Sequence, residues 1–131
     1  MSSAGVAKLR ILVVDDEASV ATTVKMLLNF DGHEVETTRS GQEALARFEV
    51  GEFDLVLTDF AMPEMKGDQL AAAIKARAPK QPIILLTGYP GAVPQSTPVD
   101  RIVGKPFRLE HLRDAISQVL LERRLGPDQA D

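Results

Sequence analysis

The alternation of short β-prone runs with segments of helical period is the feature that most constrains this chain. The β-prone runs lie at residues 11–14, 33–40, 53–58, 82–87 and 101–104. All but the polar run at 33–40 are mainly apolar. Nearly continuous apolar strands that alternate with helices are typical of a parallel sheet, since helices then cover both of its faces. We therefore predict a doubly wound α/β fold with one five-stranded parallel sheet.

Four segments between and after these runs carry apolar residues at helical spacing. The first reaches Leu28 and is expected to end at the Asp31–Gly32 pair. The second is predicted to begin with a capping box made by Ser40 and Glu43, each satisfying a backbone donor of the other. The remaining two helices are predicted at about residues 68–77 and 109–120.

The interval between the last two strands is too short and too rich in proline for a full helix. Pro90, Pro94 and Pro98 all fall between Thr87 and Lys105. Proline inside a helix removes a hydrogen bond and clashes with the preceding turn. We predict a fourth helix that is short or absent, and a mobile or irregular segment over residues 88–100.

Composition and charge narrow the class of protein. A chain of 131 residues with 44% hydrophobic and 26% charged residues fits one globular domain. The net charge of -4 argues against nucleic acid as a partner, and no apolar run is long enough for a membrane span. The absence of cysteine rules out disulfides and thiolate metal sites and suits a reducing compartment. We expect a cytoplasmic protein.

Polar residues follow four of the strands at the points where they end. Asp15 and Asp16 follow the first strand, Asp59 the third and Thr87 the fourth, and Lys105 follows the fifth. The carboxyl ends of parallel strands share one edge, where sites form in open α/β sheets. These five side chains are therefore predicted to meet.

The repulsion between carboxylates clustered at this edge has to be offset by positive charge. Two carboxylates about 5 Å apart at an effective dielectric of about 20 repel by roughly 3 kcal/mol. Mg²⁺ prefers such an oxygen-rich site and would offset the repulsion. With Lys105 and Thr87 available for phosphoryl oxygens, Asp59 is a candidate nucleophile that could form an aspartyl-phosphate.

Four fragments in order resemble the receiver domain of response regulators in two-component signalling. They are VVDDE at 13–17, LVLTDFAMPEMKG at 55–67, LLTG at 85–88 and VGKPF at 103–107. The resemblance implies a flavodoxin-like sheet of strand order 2-1-3-4-5 and a receiver domain over residues 9–124. Residues 1–8 and 125–131 would then be a flexible N-terminus and tail.

The resemblance also implies roles for the residues at the strand ends. Asp59 would be the phosphoacceptor and a metal ligand, Asp16 a direct Mg²⁺ ligand and Asp15 an acidic partner acting largely through water. The backbone carbonyl of Ala61 would complete the protein's share of the coordination.

By the same resemblance, Thr87 would bind a phosphoryl oxygen and Lys105 would pair with the phosphate. The Lys105–Pro106 bond would be cis. The phosphoryl donor would be a sensor histidine kinase or a histidine phosphotransfer protein. The chain would be a signalling switch and not an enzyme, with no activity beyond phosphoryl transfer to itself and autodephosphorylation.

Two departures from the family pattern concern signal output. Ile102 stands where many receivers carry a rotating aromatic, and LTGYP at 86–90 resembles a subgroup with a degenerate fourth helix. We therefore expect phosphorylation to act on residues 88–100. Without a full fourth helix, the face through which receivers usually dimerise would be missing, so the oligomeric state stays open. The sequence also leaves open whether the receiver stands alone or belongs to a hybrid kinase or larger regulator.

The residues by themselves leave two other functions open. One is a Mg²⁺-dependent phosphohydrolase, although that class usually has a general-acid aspartate where this chain has Ala61. The other is a receiver-like binding module that is never phosphorylated. A phosphohistidine role for His33 or His111 is disfavoured, and both are interpreted as surface residues.

Overall fold

The computed structural model describes residues 8–124 and contains one sheet of five parallel strands. The order across the sheet is β2-β1-β3-β4-β5, which confirms the predicted flavodoxin-like arrangement. The strands are β1 (Arg10–Val14), β2 (Glu34–Thr38), β3 (Leu55–Asp59), β4 (Ile83–Thr87) and β5 (Arg101–Gly104). The predicted flexible ends fall on residues 1–8 and 125–131, and of these only Lys8 lies within the described residues.

Four α-helices surround the sheet within the described residues, in the places that the periodicity predicts. They are α1 (Ala18–Phe30), α2 (Gly41–Arg47), α3 (Gly67–Arg77) and α4 (Leu109–Arg124). None of the helices in residues 8–124 has the length and apolar character that crossing a bilayer requires.

The helices bury apolar side chains on both faces of the sheet, as predicted. Leu57 and Leu112 belong to the core beneath α1 and α4, whereas Leu12, Val56 and Ile74 belong to the core beneath α2 and α3. Every residue of β3 and β4 is buried. These two central strands therefore give the site at their ends a rigid support.

The start of α2 differs in one detail from the predicted capping box. The Glu43 backbone N–H donates to Ser40 Oγ at 3.0 Å, as expected. The Glu43 carboxylate, however, accepts from the backbone N–H of Arg39 at 2.6 Å. The return bond of the box therefore reaches one residue further back than predicted.

The connection from β4 to β5 contains no α-helix, which confirms that part of the prediction. Only a single 3₁₀ turn forms, at Pro90–Ala92. Val93 is buried, and Val99 packs against the core beneath α3. The connection ends at Asp100, whose carboxylate accepts from the backbone N–H of Ile83 at 2.8 Å.

The absence of a helix between β4 and β5 leaves part of β5 uncovered. Ile102 is 41% exposed although it lies in a strand, and its neighbour across the ladder, Leu85, is buried. The outer strand of the sheet therefore presents an apolar side chain to solvent on this side.

The expectation that His33 lies at the surface is wrong. Its side chain is buried, and its Nδ1 accepts a hydrogen bond from the backbone N–H of Leu9 at 3.1 Å. Burial lowers the pKa of His33, and the nearby Asp31 carboxylate only partly opposes this. His111, in contrast, is exposed, as expected.

Acid is expected to destabilise the fold through His33. Because the folded pKa lies below the unfolded value of about 6.5, the unfolded state binds more protons, so this contribution is present above pH 6.5 and is lost as pH falls through and below it. The measurement is the urea midpoint from pH 7.5 to 5.5 in the wild type and in His33→Asn. Asn can still accept from Leu9 without titrating, so equal pH slopes in the two proteins would contradict the assignment.

Candidate functional site

The carboxyl ends of the strands bring the predicted residues together at one edge. Asp59 is the last residue of β3 and Thr87 the last of β4, and the side chains of both are almost fully buried. Asp15 follows β1, and Lys105 follows β5. The parallel register places Thr87 beside Gly104, directly before Lys105.

Three carboxylates form the acidic part of this edge. Asp15, Asp16 and Asp59 each offer an oxygen within 4.8 Å of those of the other two. Asp15 is only 1% exposed, and its Oδ1 accepts from the backbone N–H of Glu17 at 2.9 Å. Its Oδ2 is buried and has no hydrogen-bond partner among the described residues. Burial is the main cause that raises the pKa of Asp15, and the charge of Asp59 adds to it, against the Glu17 hydrogen bond.

Lys105 supplies the positive charge of the site. Its Nζ donates to Asp59 Oδ1 at 2.8 Å and lies 3.7 Å from Asp15 Oδ2. Burial by itself would lower the pKa of Lys105, but the hydrogen bond to Asp59 and the charges of Asp59, Asp15 and Glu17 together outweigh it and raise the pKa. The lysine therefore stays charged. Its peptide bond to Pro106 is cis, as the resemblance implies.

Thr87 presents a hydroxyl to the same edge. Its Oγ1 accepts from the backbone N–H of Tyr89 at 3.0 Å, so the hydroxyl hydrogen remains available to donate. Its carbonyl oxygen accepts from the backbone N–H of Lys105 at 2.8 Å. Thr87 thus links the end of β4 both to Lys105 and to the segment that follows the strand.

The loop from β3 to α3 is held closely against the site. Phe60 donates its N–H to the carbonyl of Leu86, and Gly67 donates its N–H to the carbonyl of Phe60, both at 2.9 Å. A Cβ atom on Gly67 would lie well inside the contact distance of the Asp59 carbonyl oxygen. Gly67 is the last residue of the LVLTDFAMPEMKG motif, and nothing in the sequence indicates this close approach.

A cleft of about 430 Å³ opens at this edge and is lined by both charged and apolar side chains. Ala61, which the resemblance assigns to the metal site, lines the cleft and is exposed. Sequence reasoning assigned no role to Glu17 or Phe60, which also line it. The lining residues are Asp16, Glu17, Asp59, Phe60, Ala61, Thr87, Gly88, Tyr89, Ala92 and Lys105.

The family model of the response regulator receiver domain matches residues 11–117 of the chain. The chain belongs to this family. Phosphorylation on an aspartate is general among receivers, and they generally use Mg²⁺ at an acidic pocket. The match lies within the predicted domain of residues 9–124, whose exact bounds stay a prediction.

Curated relatives of this receiver are signalling regulators. It is 32% identical over 108 residues to the transcriptional regulatory protein TrcR of Mycobacterium tuberculosis, covering 79% of this chain and 42% of the relative. It is 34% identical over 122 residues to the transcriptional regulatory protein ZraR of Salmonella typhimurium, covering 89% of this chain and 27% of the relative. The receiver thus spans less than half the length of these two proteins.

Solved receiver structures share the fold over most of the chain. A receiver domain protein from Clostridium thermocellum superposes with a TM-score of 0.82 at 31% identity, covering 88% of this chain and 97% of that one. The response regulator TrrA from Thermotoga maritima, solved in complex with Mg²⁺ and BeF, gives 0.79 at 35% identity, covering 86% and 99%.

Proposed function

We propose that this receiver accepts a phosphoryl group on Asp59 from the phosphohistidine of a sensor histidine kinase or a histidine phosphotransfer protein. The observation that carries the proposal is the 2.8 Å contact between Lys105 Nζ and Asp59 Oδ1 beside the acidic pair. A buried carboxylate at the mouth of a cleft, held by a lysine, is equipped both to attack phosphorus and to keep the product neutralised.

The chain's own residues account for most of the transfer. An Asp59 oxygen forms the new bond to phosphorus, while the bond from phosphorus to the donor nitrogen breaks. Lys105 lies within reach of the phosphoryl oxygens on Asp59, and Thr87 donates its hydroxyl hydrogen to one of them. The shared edge of β3, β4 and β5 fixes these groups before the donor arrives.

The acidic part of the site fits a divalent cation. The three carboxylates stand close together, and the buried Oδ2 of Asp15 lacks a hydrogen-bond partner within residues 8–124. Asp16, Asp59 and the backbone carbonyl of Ala61 would hold Mg²⁺, with Asp15 acting largely through water. When bound, the cation supplies positive charge that offsets the carboxylate repulsion and the charge of the phosphoryl oxygens.

Mg²⁺ is expected to raise the thermal stability of the wild type and to leave Asp16→Ala unchanged. If Mg²⁺ binds only the folded state, it would raise the free energy of unfolding by about 2.7 kcal/mol when its concentration is 100 times its dissociation constant. Melting curves with and without Mg²⁺ measure this, and Asp114→Ala, an exposed aspartate on α4, serves as the control. Identical melting temperatures for the wild type in both conditions would exclude a metal site here.

The direct test of the function is phosphorylation of the whole chain by acetyl phosphate. Intact-mass measurement should show the gain of one phosphoryl group when Mg²⁺ is present and none when it is chelated. Peptide mapping after reduction of the acyl phosphate should place it at residue 59. A wild type that gains no mass with Mg²⁺ and donor in excess would refute the proposal.

The proposed output is a change in residues 88–100, which rests on the bond from Tyr89 N–H to Thr87 Oγ1. If Thr87 turns toward the phosphoryl group, this bond carries the movement into the 3₁₀ turn at Pro90–Ala92. Amide exchange of residues 88–100 should therefore slow on phosphorylation, with α2 as the internal reference. Unchanged exchange in this segment would leave phosphorylation intact as a function but reject this output.

The alternative of a phosphohydrolase lacks a supporting observation. Ala61 provides no general acid two residues after Asp59, and the curated relatives are regulators.

We propose that the receiver works in the cytoplasm and binds its kinase without direct contact to nucleic acid or membrane, consistent with a net charge of -4.

A further inference from the structure

Thr58, the residue before the proposed phosphoacceptor, carries a hydroxyl that the transfer itself does not use. Its side chain is completely buried, and its Oγ1 donates to the backbone carbonyl oxygen of Asp59 at 3.0 Å. A hydroxyl buried inside a sheet is unfavourable unless it is hydrogen-bonded. The bond to Asp59 therefore compensates the burial of a polar side chain directly beside the site.

The Asp59 carbonyl depends on this hydroxyl because the neighbouring strand has already ended. The ladder between β1 and β3 stops at the pair of Val14 with Thr58, one residue before Asp59. Within residues 8–124, no loop N–H donates to the Asp59 carbonyl. Gly67 approaches the same oxygen so closely that a Cβ there would overlap it, which leaves little room for a water molecule to replace the hydroxyl.

The peptide group between Asp59 and Phe60 is thus held at both of its polar atoms. Its N–H, which belongs to Phe60, donates to the carbonyl of Leu86 on β4 at 2.9 Å, and its carbonyl accepts from Thr58. Thr58 is itself fixed, because its backbone lies between β1 and β4 in the sheet. The orientation of this peptide group is therefore determined from two sides.

We propose that the Thr58 hydroxyl is a positioning group for phosphoryl transfer, because it fixes the peptide that joins the phosphoacceptor to the loop carrying the Ala61 carbonyl. This rests on the proposed function of Asp59. The orientation of that peptide sets the backbone torsion ψ of Asp59 and the direction in which the loop leaves β3. Thr58 does not line the cleft, so it acts only through Asp59 and the loop.

Loss of the hydroxyl is expected to release this peptide. A buried carbonyl without a hydrogen bond is unfavourable, so the peptide would turn toward another donor, and the loop that carries the Ala61 carbonyl would change direction. Removing the groups that orient metal ligands typically changes metal affinity or activity 10- to 100-fold. Because Thr58 acts through the backbone, we expect an effect at the lower end of this range.

The test replaces Thr58 in the whole chain by Val, Ser and Ala. Thr58→Val keeps the shape of the side chain and removes the hydroxyl, whereas Thr58→Ser keeps the hydroxyl. Ser and Ala differ only in the hydroxyl, so their comparison decides the matter even if Thr58→Val folds poorly. Two quantities are measured below the melting temperature or from it: the rate of phosphorylation by acetyl phosphate at limiting Mg²⁺, and the Mg²⁺ dissociation constant from the rise in melting temperature.

Thr38→Val is the matched control. Thr38 is also a buried threonine at the end of a strand, but its Oγ1 has no hydrogen-bond partner within residues 8–124. Removing that hydroxyl should leave the rate and the Mg²⁺ affinity unchanged. Val119→Ala is the control for lost stability, because it removes buried apolar atoms from the core beneath α1 and α4 and does not alter the lining of the cleft.

Thr58→Val and Thr58→Ala should raise the Mg²⁺ dissociation constant by about tenfold and lower the rate at limiting Mg²⁺ by a similar factor. Thr58→Ser should restore the wild-type values, since its hydroxyl can donate to the same carbonyl. Wild-type behaviour of Thr58→Val, equal losses in Ser and Ala, or an equal loss in either control would overturn the proposal while leaving Asp59 as the phosphoacceptor. Failure of the wild type to gain a phosphoryl group would instead overturn the proposed function.

Discussion

Asp59→Asn is expected to abolish phosphoryl uptake completely. The amide has no anionic oxygen to attack phosphorus, and no other carboxylate pairs with Lys105 at so short a distance among the described residues. The measurement is the intact mass after incubation with acetyl phosphate and Mg²⁺. Because Asn keeps the shape of Asp, the fold should survive, which circular dichroism can check.

Asp114→Asn is the matched control for this substitution. Asp114 lies on the exposed side of α4, away from the lining of the cleft. This variant should gain one phosphoryl group at the wild-type rate. A phosphoryl adduct that persists in Asp59→Asn would move the acceptor to another residue and contradict the assignment.

Gly67→Ala is expected to lower the free energy of unfolding by about 2–3 kcal/mol. The added Cβ would overlap the carbonyl oxygen of Asp59 and lie 2.7 Å from Leu85 Cδ1. The strand and the loop are both held by backbone hydrogen bonds, so neither can yield without loss elsewhere. Urea unfolding should show a midpoint lowered by roughly 1 M or more.

Gly91→Ala provides the comparison for the Gly67 substitution. A Cβ on Gly91 meets no atom within 4 Å, so this variant should unfold within about 0.5 kcal/mol of the wild type. If Gly67→Ala unfolds like Gly91→Ala and takes up phosphate normally, the β3–α3 loop is more adaptable than its contacts indicate.

The sequence permits prediction of the sheet and of the meeting point of Asp15, Asp59 and Lys105 for one physical reason. Buried parallel strands must be apolar along their whole length, so polar residues accumulate where the strands end. Because all these ends lie at the same edge, the chemistry at that edge follows from the order of the chain. The absence of a helix between β4 and β5 follows from proline stereochemistry in the same way.

Features that depend on packing between distant residues could not be predicted in this way. Leu9 and His33 are far apart in the chain, and only the pairing of β1 with β2 places the Leu9 N–H against the imidazole. The close approach of Gly67 to Asp59 similarly requires the finished path of the loop. The 3₁₀ turn at Pro90–Ala92 is likewise indicated by no periodicity of the sequence.

The prolines between β4 and β5 have an entropic consequence. Fixing one backbone residue costs roughly 1–2 kcal/mol of conformational entropy, and a helix repays that cost with hydrogen bonds. Here the rings of Pro90, Pro94 and Pro98 restrict the backbone covalently, so that part of the cost is never incurred on folding. Anchored by Val93 and Asp100, the connection keeps a defined course with one 3₁₀ turn and no α-helix, so a change of course does not require an α-helix to unfold first.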